Sequence, residues 1–295
     1  NYEQNQVDGK IYTVSIGLAS IGMWVNTDVL EATGATMPEE WTTWEAFADA
    51  METVRVNGEA MGYYSYGSGQ GSIRMFNAAL AATPAGAEML KGPLTADAIN
   101  SEEFADAFRT VATLDQQNGS ANSSVNANDF AADFNNGLSA VFINGVWGAS
   151  QFAGSDNFVS CIYPNSVAIS SANTGLYVAN DLSDAQKELA LEFIKYMTSE
   201  EVQSRYFLET SSNPINENVD IQKLAQESGD PTALKLAEAC DKCNKADTIV
   251  LAIDVCWGND VGGALQNKFA ECAVAGTDIE AKLAELQAEL TALIG

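Results

Sequence analysis

Phe134-Asn135-Asn136-Gly137-Leu138-Ser139-Ala140-Val141-Phe142-Ile143-Asn144-Gly145-Val146-Trp147 is the stretch on which the fold of this chain turns. Ala140 to Ile143 is a short unbroken apolar run, the pattern of a strand covered on both faces. A helix around Phe130 and Phe134 leads into it, and Asn144, Gly145 and Trp147 follow at the strand's end. Other short runs of the same kind are Ile11 to Val14, Met23 to Val25, Phe158 to Ile162, Leu176 to Val178 and Thr248 to Ile253. Helices between them show caps followed by apolar residues at 3.6-residue spacing. Thr42 with Glu45 forms a capping box ahead of Trp44, Phe47, Ala48, Met51 and Val54, and Gly58 is placed to end that helix. Ser183 with Gln186 opens a helix striped by Leu189, Ala190, Phe193, Ile194 and Met197. Thr198 with Glu201 restarts the chain after a bend near Ser199, and Thr277 with Glu280 caps a last helix carrying Ile279, Leu283, Leu286, Leu290 and Leu293. The alternation predicts an α/β fold with helices on both faces of a largely parallel sheet.

The composition narrows the functional classes. The chain has 295 residues, 46% of them hydrophobic, enough for two lobes. Lys and Arg number 14 against 40 Asp and Glu, a formal charge of −26 that repels nucleic-acid backbones and acidic membrane surfaces. No apolar run reaches the roughly 18 residues of a membrane span. The start, Asn1-Tyr2-Glu3-Gln4-Asn5, has no leader pattern and reads as mature or truncated. Cys161, Cys240, Cys243, Cys256 and Cys272 are odd in number, so one thiol has no intrachain partner. Cys240 and Cys243 have zinc-like spacing but lack further ligands in a chain without His, and the same spacing describes neighbours on one helix face. Without His, Ser-His-Asp and Cys-His catalysis are excluded. Asn118-Gly119-Ser120-Ala121-Asn122-Ser123-Ser124 reads as a surface connection.

Four segments, in order, resemble the maltose-binding-like family of ABC-importer solute-binding proteins. Asp8-Gly9-Lys10-Ile11-Tyr12, then Met23-Trp24-Val25-Asn26-Thr27-Asp28-Val29-Leu30 and Trp41-Thr42-Thr43-Trp44-Glu45, are similar to the family's opening passage. The stretch from Phe134 to Trp147 is the most specific match. Gly175-Leu176-Tyr177-Val178 with Ala190-Leu191-Glu192-Phe193-Ile194 and Ser199-Glu200-Glu201-Val202-Gln203 is the third, and Trp257 with Ala275-Gly276-Thr277 the fourth. The resemblance implies a two-lobe, periplasmic-binding-protein-like (type II) fold with the first lobe incomplete. It assigns 1–20 to a remnant of that lobe and the first crossing, 21–172 to the second lobe, 173–230 to a first-lobe segment and 231–295 to second-lobe C-terminal helices. Family members normally begin with βα units ahead of Gly9-Lys10, so the intact gene product is expected to start earlier, with a secretory or lipoprotein signal. The implied function is extracytoplasmic binding of a mono- or oligosaccharide and its delivery by hinge closure to the permease subunits of an ABC importer, with no cofactor or metal.

A sugar presents a face of C–H groups and a rim of hydroxyls, so its site needs an aromatic plate and a few fixed polar groups. The resemblance places Trp147 as that plate and Trp257 as a second, although large apolar residues are more often core. Asn144 donates and accepts at once, which suits hydroxyls and equally suits a strand-end turn. Tyr63, Tyr64 and Tyr66 precede the run Gly67-Ser68-Gly69-Gln70-Gly71-Ser72, which lacks the Lys-Ser/Thr ending of a phosphate loop. In the family this region faces the ligand, making Tyr66, Gln70 and Arg74 candidates; a surface ion pair is the plain alternative for Arg74. Ser20 and Gly175 are candidates at the two expected crossings, Ser15 to Ser20 and Asn173 to Gly175. Two rival readings are a carboxylate-based glycosidase, for which nothing pins a pair at the required separation, and an interaction or signalling protein that kept the fold without the ligand.

Overall fold

Small and hydroxylated residues between Val14 and Ser20 join what reads as two short strands into one long one. The computed structural model describes residues 6–7, 9–59, 61–65, 70–118 and 127–295. Among these the strands are β1 (Gln6–Val7), β2 (Lys10–Ile11), β3 (Val14–Asn26), β4 (Met61–Ser65), β5 (Ser139–Gly145), β6 (Phe158–Cys161), β7 (Val167–Leu176) and β8 (Thr248–Val250). β1 and β2 pair with each other; the rest form one sheet in the order β4-β5-β3-β7-β8, with β6 also on β3. β3 is central, with Met23 paired to Ile143 on β5 and to Cys161 on β6. β6 presses so closely that a Cβ on Gly22 would lie 2.5 Å from the Cys161 carbonyl oxygen.

The sheet is mixed rather than largely parallel. β4 runs parallel to β5 and β7 to β8, but β3 runs against β5 and β6. Apolar runs report burial, not direction, so the reversal was hidden. β7 was legible only at its end because Ser170, Ser171, Asn173 and Thr174 interrupt its apolar pattern. Thr248 to Ile253 splits, with Ile253–Cys256 forming a helical turn after β8.

The helix starts show a uniform displacement. Thr43, not Thr42, caps Trp44–Asn57 by accepting from the Ala46 N–H. Ser199, not Thr198, caps Glu200–Thr210, and Asp278, not Thr277, caps Ile279–Ile294. In each case the glutamate of the expected box lies at the second helical position, where its charge meets the positive helix end without reaching back to the cap. Ser183 and Gln186 do form the reciprocal box at the start of Asp184–Met197.

The chain divides into two compact units. Unit 1 comprises 1–20, 146–154 and 170–241; unit 2 comprises 21–145, 155–169 and 242–295. Residues 146–154, expected with 21–172, group with unit 1, and the late return to unit 2 falls at Lys242 instead of 231. Unit 2 holds the large core. Helices Gln70–Ala81, Glu102–Asn118 and Asn259–Cys272 interlock through Phe76 and Phe104 at 5.1 Å and Phe108 and Phe269 at 4.9 Å between ring centroids. Leu283, Leu286 and Leu290 of the last helix close this core, each such burial contributing about 1.5–3 kcal/mol. In unit 1 the buried Gln203 ties the first half of β3 to the helices. Its Nε2 donates to the Ile16 and Met197 carbonyls and its Oε1 accepts from Ile215 N–H. Helix Asp184–Met197 buries no residue.

Candidate functional site

The C-terminal edge of a sheet with parallel strands is where the backbone breaks into loops able to hold a ligand. In unit 2 that edge is built by the end of β4 at Ser65, of β5 at Gly145 and of β8 at Val250. The deciding stretch folds locally as its residues dictate. Gly137, at φ +75°, ends helix Ala127–Asn135 in a conformation that glycine adopts freely. Ser139 to Gly145 then run fully buried as β5. The Gly145 carbonyl accepts from the indole N–H of buried Trp24 at 2.9 Å, fixing the point where the chain turns towards Trp147.

Trp147 sits in the short helical turn Val146–Gly148 of unit 1 and remains 40% exposed, a large apolar face open to solvent. Trp257 is different. It is buried in unit 2, stacked on Phe104 at 6.3 Å, with its N–H donated to the Met89 carbonyl. One face of its ring and its one polar atom are thus committed to packing. Asn144 is buried, its Oδ1 accepting from the Gly145 N–H in the strand-end turn. Ser20 is wholly buried in unit 1, where its hydroxyl accepts from Asn213 Nδ2 at 2.8 Å and lies 3.4 Å from Ser170 Oγ. It locks β3 beside β7. Gly175 is exposed on β7, where a Cβ would come within 3.1 Å of Thr13.

Gln70 is the exposed first residue of its helix. Tyr66 and residues 67–69 lie outside the described residues, as do the side chains of Tyr63 and Tyr64 and the connection 119–126. Arg74 is engaged in unit 2 with Asp254, Nη1 to Oδ1 at 2.5 Å. Burial pushes the Asp254 carboxyl up, but the hydrogen bond and charge of Arg74 outweigh it and hold the group below the usual range. Sequence reasoning missed Asp254, which is one acid among forty and lies far along the chain from its partner.

None of the five cysteines is joined to another in a disulfide. Burial raises Cys161, Cys243 and Cys256 to about 12 and Cys272 to about 11, so these are packed groups rather than nucleophiles. Cys240 and Cys243 share the buried face of helix Pro231–Asn244. Among the described residues no group of three or more His, Cys, Asp or Glu side chains is placed to hold a metal ion, and no helix is long and apolar enough to cross a membrane.

An α/β chain that passes repeatedly between two units, with an open aromatic just beyond a strand end, defines the class of two-unit binding proteins. The family model described as bacterial extracellular solute-binding protein matches residues 2–232, and the chain belongs to that family, which places it outside the cytoplasm. A solute-binding protein of Streptococcus pneumoniae, solved in complex with the blood group A-trisaccharide, is 40% identical with a TM-score of 0.91 over 99% of this chain and 74% of its own. A chitin oligosaccharide binding protein shares the fold at 19% identity and TM-score 0.78, covering 99% of this chain and 74% of that one. So does the cyclic alpha-maltosyl-1,6-maltose binding protein of Arthrobacter globiformis, at 18% and 0.70 over the same shares. No individually curated protein matches the chain. The fold is therefore α/β and periplasmic-binding-protein-like.

Proposed function

We propose that this protein binds a carbohydrate, mono- or oligosaccharide, without transforming it, and delivers it to the permease subunits of an ABC importer. The observation that carries this reading is the 40% identity, across almost the whole chain, to a protein solved with a trisaccharide. The half-open Trp147 supports it, since an indole face matches the C–H face of a sugar ring. A ligand that favours one arrangement of the two units shifts the population towards it, and that arrangement is what the permease reads. Unit 1 we read as part of a larger lobe. Its exposed apolar helix and the 26% of the pneumococcal chain without a counterpart here support that reading.

Isothermal titration with the blood group A-trisaccharide, a chito-oligosaccharide and raffinose tests the reading. One of these is expected to bind and to raise the melting temperature. Trp147→Ala should weaken that glycan by about tenfold, the worth of one stacked ring, with no hydrolysis product at any time. Heat from none of the three would end the carbohydrate assignment.

A further inference from the structure

We propose that a cleft at the edge of the unit 2 sheet where β4 and β5 begin binds a small organic cation, an ammonium with a hydroxyl or carbonyl oxygen on a neighbouring atom. The cleft lies wholly within unit 2, at the opposite end of β5 from the turn to Trp147, and does not depend on the carbohydrate reading.

The first observation is the cavity. It encloses ≈ 490 Å³, within the range of small-molecule sites and far more than a bare metal ion fills. It opens where β3 ends at Asn26 and where β4 and β5 start at Met61 and Ser139, about 20 Å along β5 from Gly145. Its walls are helix Thr27–Thr33, the end of helix Trp44–Asn57 and the turn 135–138, all of unit 2.

The second observation is an enclosed donor. Asn26 lines the cleft and is only 4% exposed. Its Oδ1 caps helix Thr27–Thr33 by accepting from the Asp28 N–H at 3.1 Å, which leaves Nδ2 with no partner among the described residues. A donor so enclosed costs about 1–3 kcal/mol unless an oxygen in the cleft accepts from it.

The third observation is the charge. Asp28 and Glu59 line the cleft, and none of the described residues lining it is Lys or Arg. Asp28 Oδ2 accepts from Asn157 Nδ2 at 2.9 Å, while Oδ1 has no partner among the described residues. Asn57 closes a 14-residue helix, whose carbonyl end carries about half a negative charge. Its Nδ2 is spent on the Thr33 carbonyl at 3.0 Å, so Oδ1 remains as an acceptor. An anion is repelled here, and a neutral polyol leaves both carboxylates uncompensated. An ammonium makes charge-assisted bonds to them, about twice as strong as neutral ones. Because Asn26 and Asp28 belong to one helix cap, the oxygen that meets Nδ2 and the ammonium that meets the carboxylate sit close together in the ligand, as in an amino alcohol or amino sugar.

The test is isothermal titration of the whole chain with glucosamine, N-acetylglucosamine and calcium chloride. Glucosamine is expected to bind about tenfold more tightly than N-acetylglucosamine, which has the same ring but no charge. Asp28→Asn should weaken glucosamine about tenfold and erase that preference. Asn26→Ser keeps a capping oxygen but removes the donor, and should weaken glucosamine about fivefold at an unchanged melting temperature. Trp147→Ala should leave glucosamine binding as it is. Equal affinity for the two sugars, no heat from glucosamine, or a loss of its binding in Trp147→Ala but not in Asp28→Asn would overturn the cleft and leave the carbohydrate reading untouched. Heat from calcium that Asp28→Asn removes, with none from glucosamine, would overturn it in favour of a metal site.

Discussion

Among the described residues unit 2 hides its large aromatic side chains, whereas unit 1 buries Phe152 and Phe207 but displays several others. Phe47, Phe76, Phe104 and Phe108 in unit 2 are wholly buried, whereas Tyr177, Phe193 and Tyr196 in unit 1 are each more than half exposed. Helix Asp184–Met197 is nevertheless as well formed at its start as any in the molecule, with the reciprocal Ser183 and Gln186 box intact. Local signals therefore specify the helix in both units, while burial depends on what lies across from it. In unit 2 three helices and a sheet face each other. Among the described residues of unit 1 the sheet consists of the first half of β3 and the second half of β7, with the Leu18 to Asn213 bridge beside it and β1–β2 as a separate pair.

The largest expected effect breaks or sharpens this contrast directly. Phe108→Ala removes a ring stacked on Phe269 and should cost about 3–5 kcal/mol in urea unfolding. Phe193→Ala, at the same residue type on the exposed helix, should change stability by no more than about 0.5 kcal/mol. Similar losses for the two would mean that the helix in unit 1 is covered in solution.

Next in size are the caps. Thr43→Ala should cost about 1 kcal/mol and its neighbour Thr42→Ala almost nothing, since only Thr43 accepts from a helix N–H. Ser183→Ala should cost a similar amount of helix in unit 1, but there the loss should show as fraying in hydrogen exchange, because no packing holds the first turn down. A global shift for Ser183→Ala equal to that for Thr43→Ala would count against the difference between the units.

How much was legible follows the same division between local and non-local. Helix existence and the strands around Ala140 and Met23 followed from periodicity and apolar runs, and the turn to Trp147 from four consecutive residues. Cap positions were off by one residue wherever a glutamate at the second helical position imitated a capping box. The full lengths of β3 and β7 were concealed by small and polar residues that interrupt their apolar runs, among them Ser20 and Ser170, whose hydroxyls lie 3.4 Å apart. Trp147, expected just past a strand end, lies two residues beyond β5 and is half-exposed, but Trp257 looks the same in sequence and is core. Arg74 was singled out by its rarity. Its partner Asp254 was invisible, because only the fold joins helix Gln70–Ala81 to the turn after β8.

The smallest expected change in stability accompanies a large change in a different readout. Leu189 at 72% and Phe193 at 53% exposure lie four residues apart on one helix face. A contiguous apolar surface of this kind attracts hydrophobic dyes and favours self-association. Replacing both with glutamine leaves helix propensity nearly unchanged, so urea unfolding should move by less than about 0.5 kcal/mol. Binding of the dye ANS should fall markedly, and any oligomer seen by light scattering should dissociate to monomer. Undiminished dye binding would place the open apolar surface elsewhere, and a loss of stability well above that figure would show that these side chains already have a partner. In either case the contrast between the units would have to be redrawn around the residues that do change.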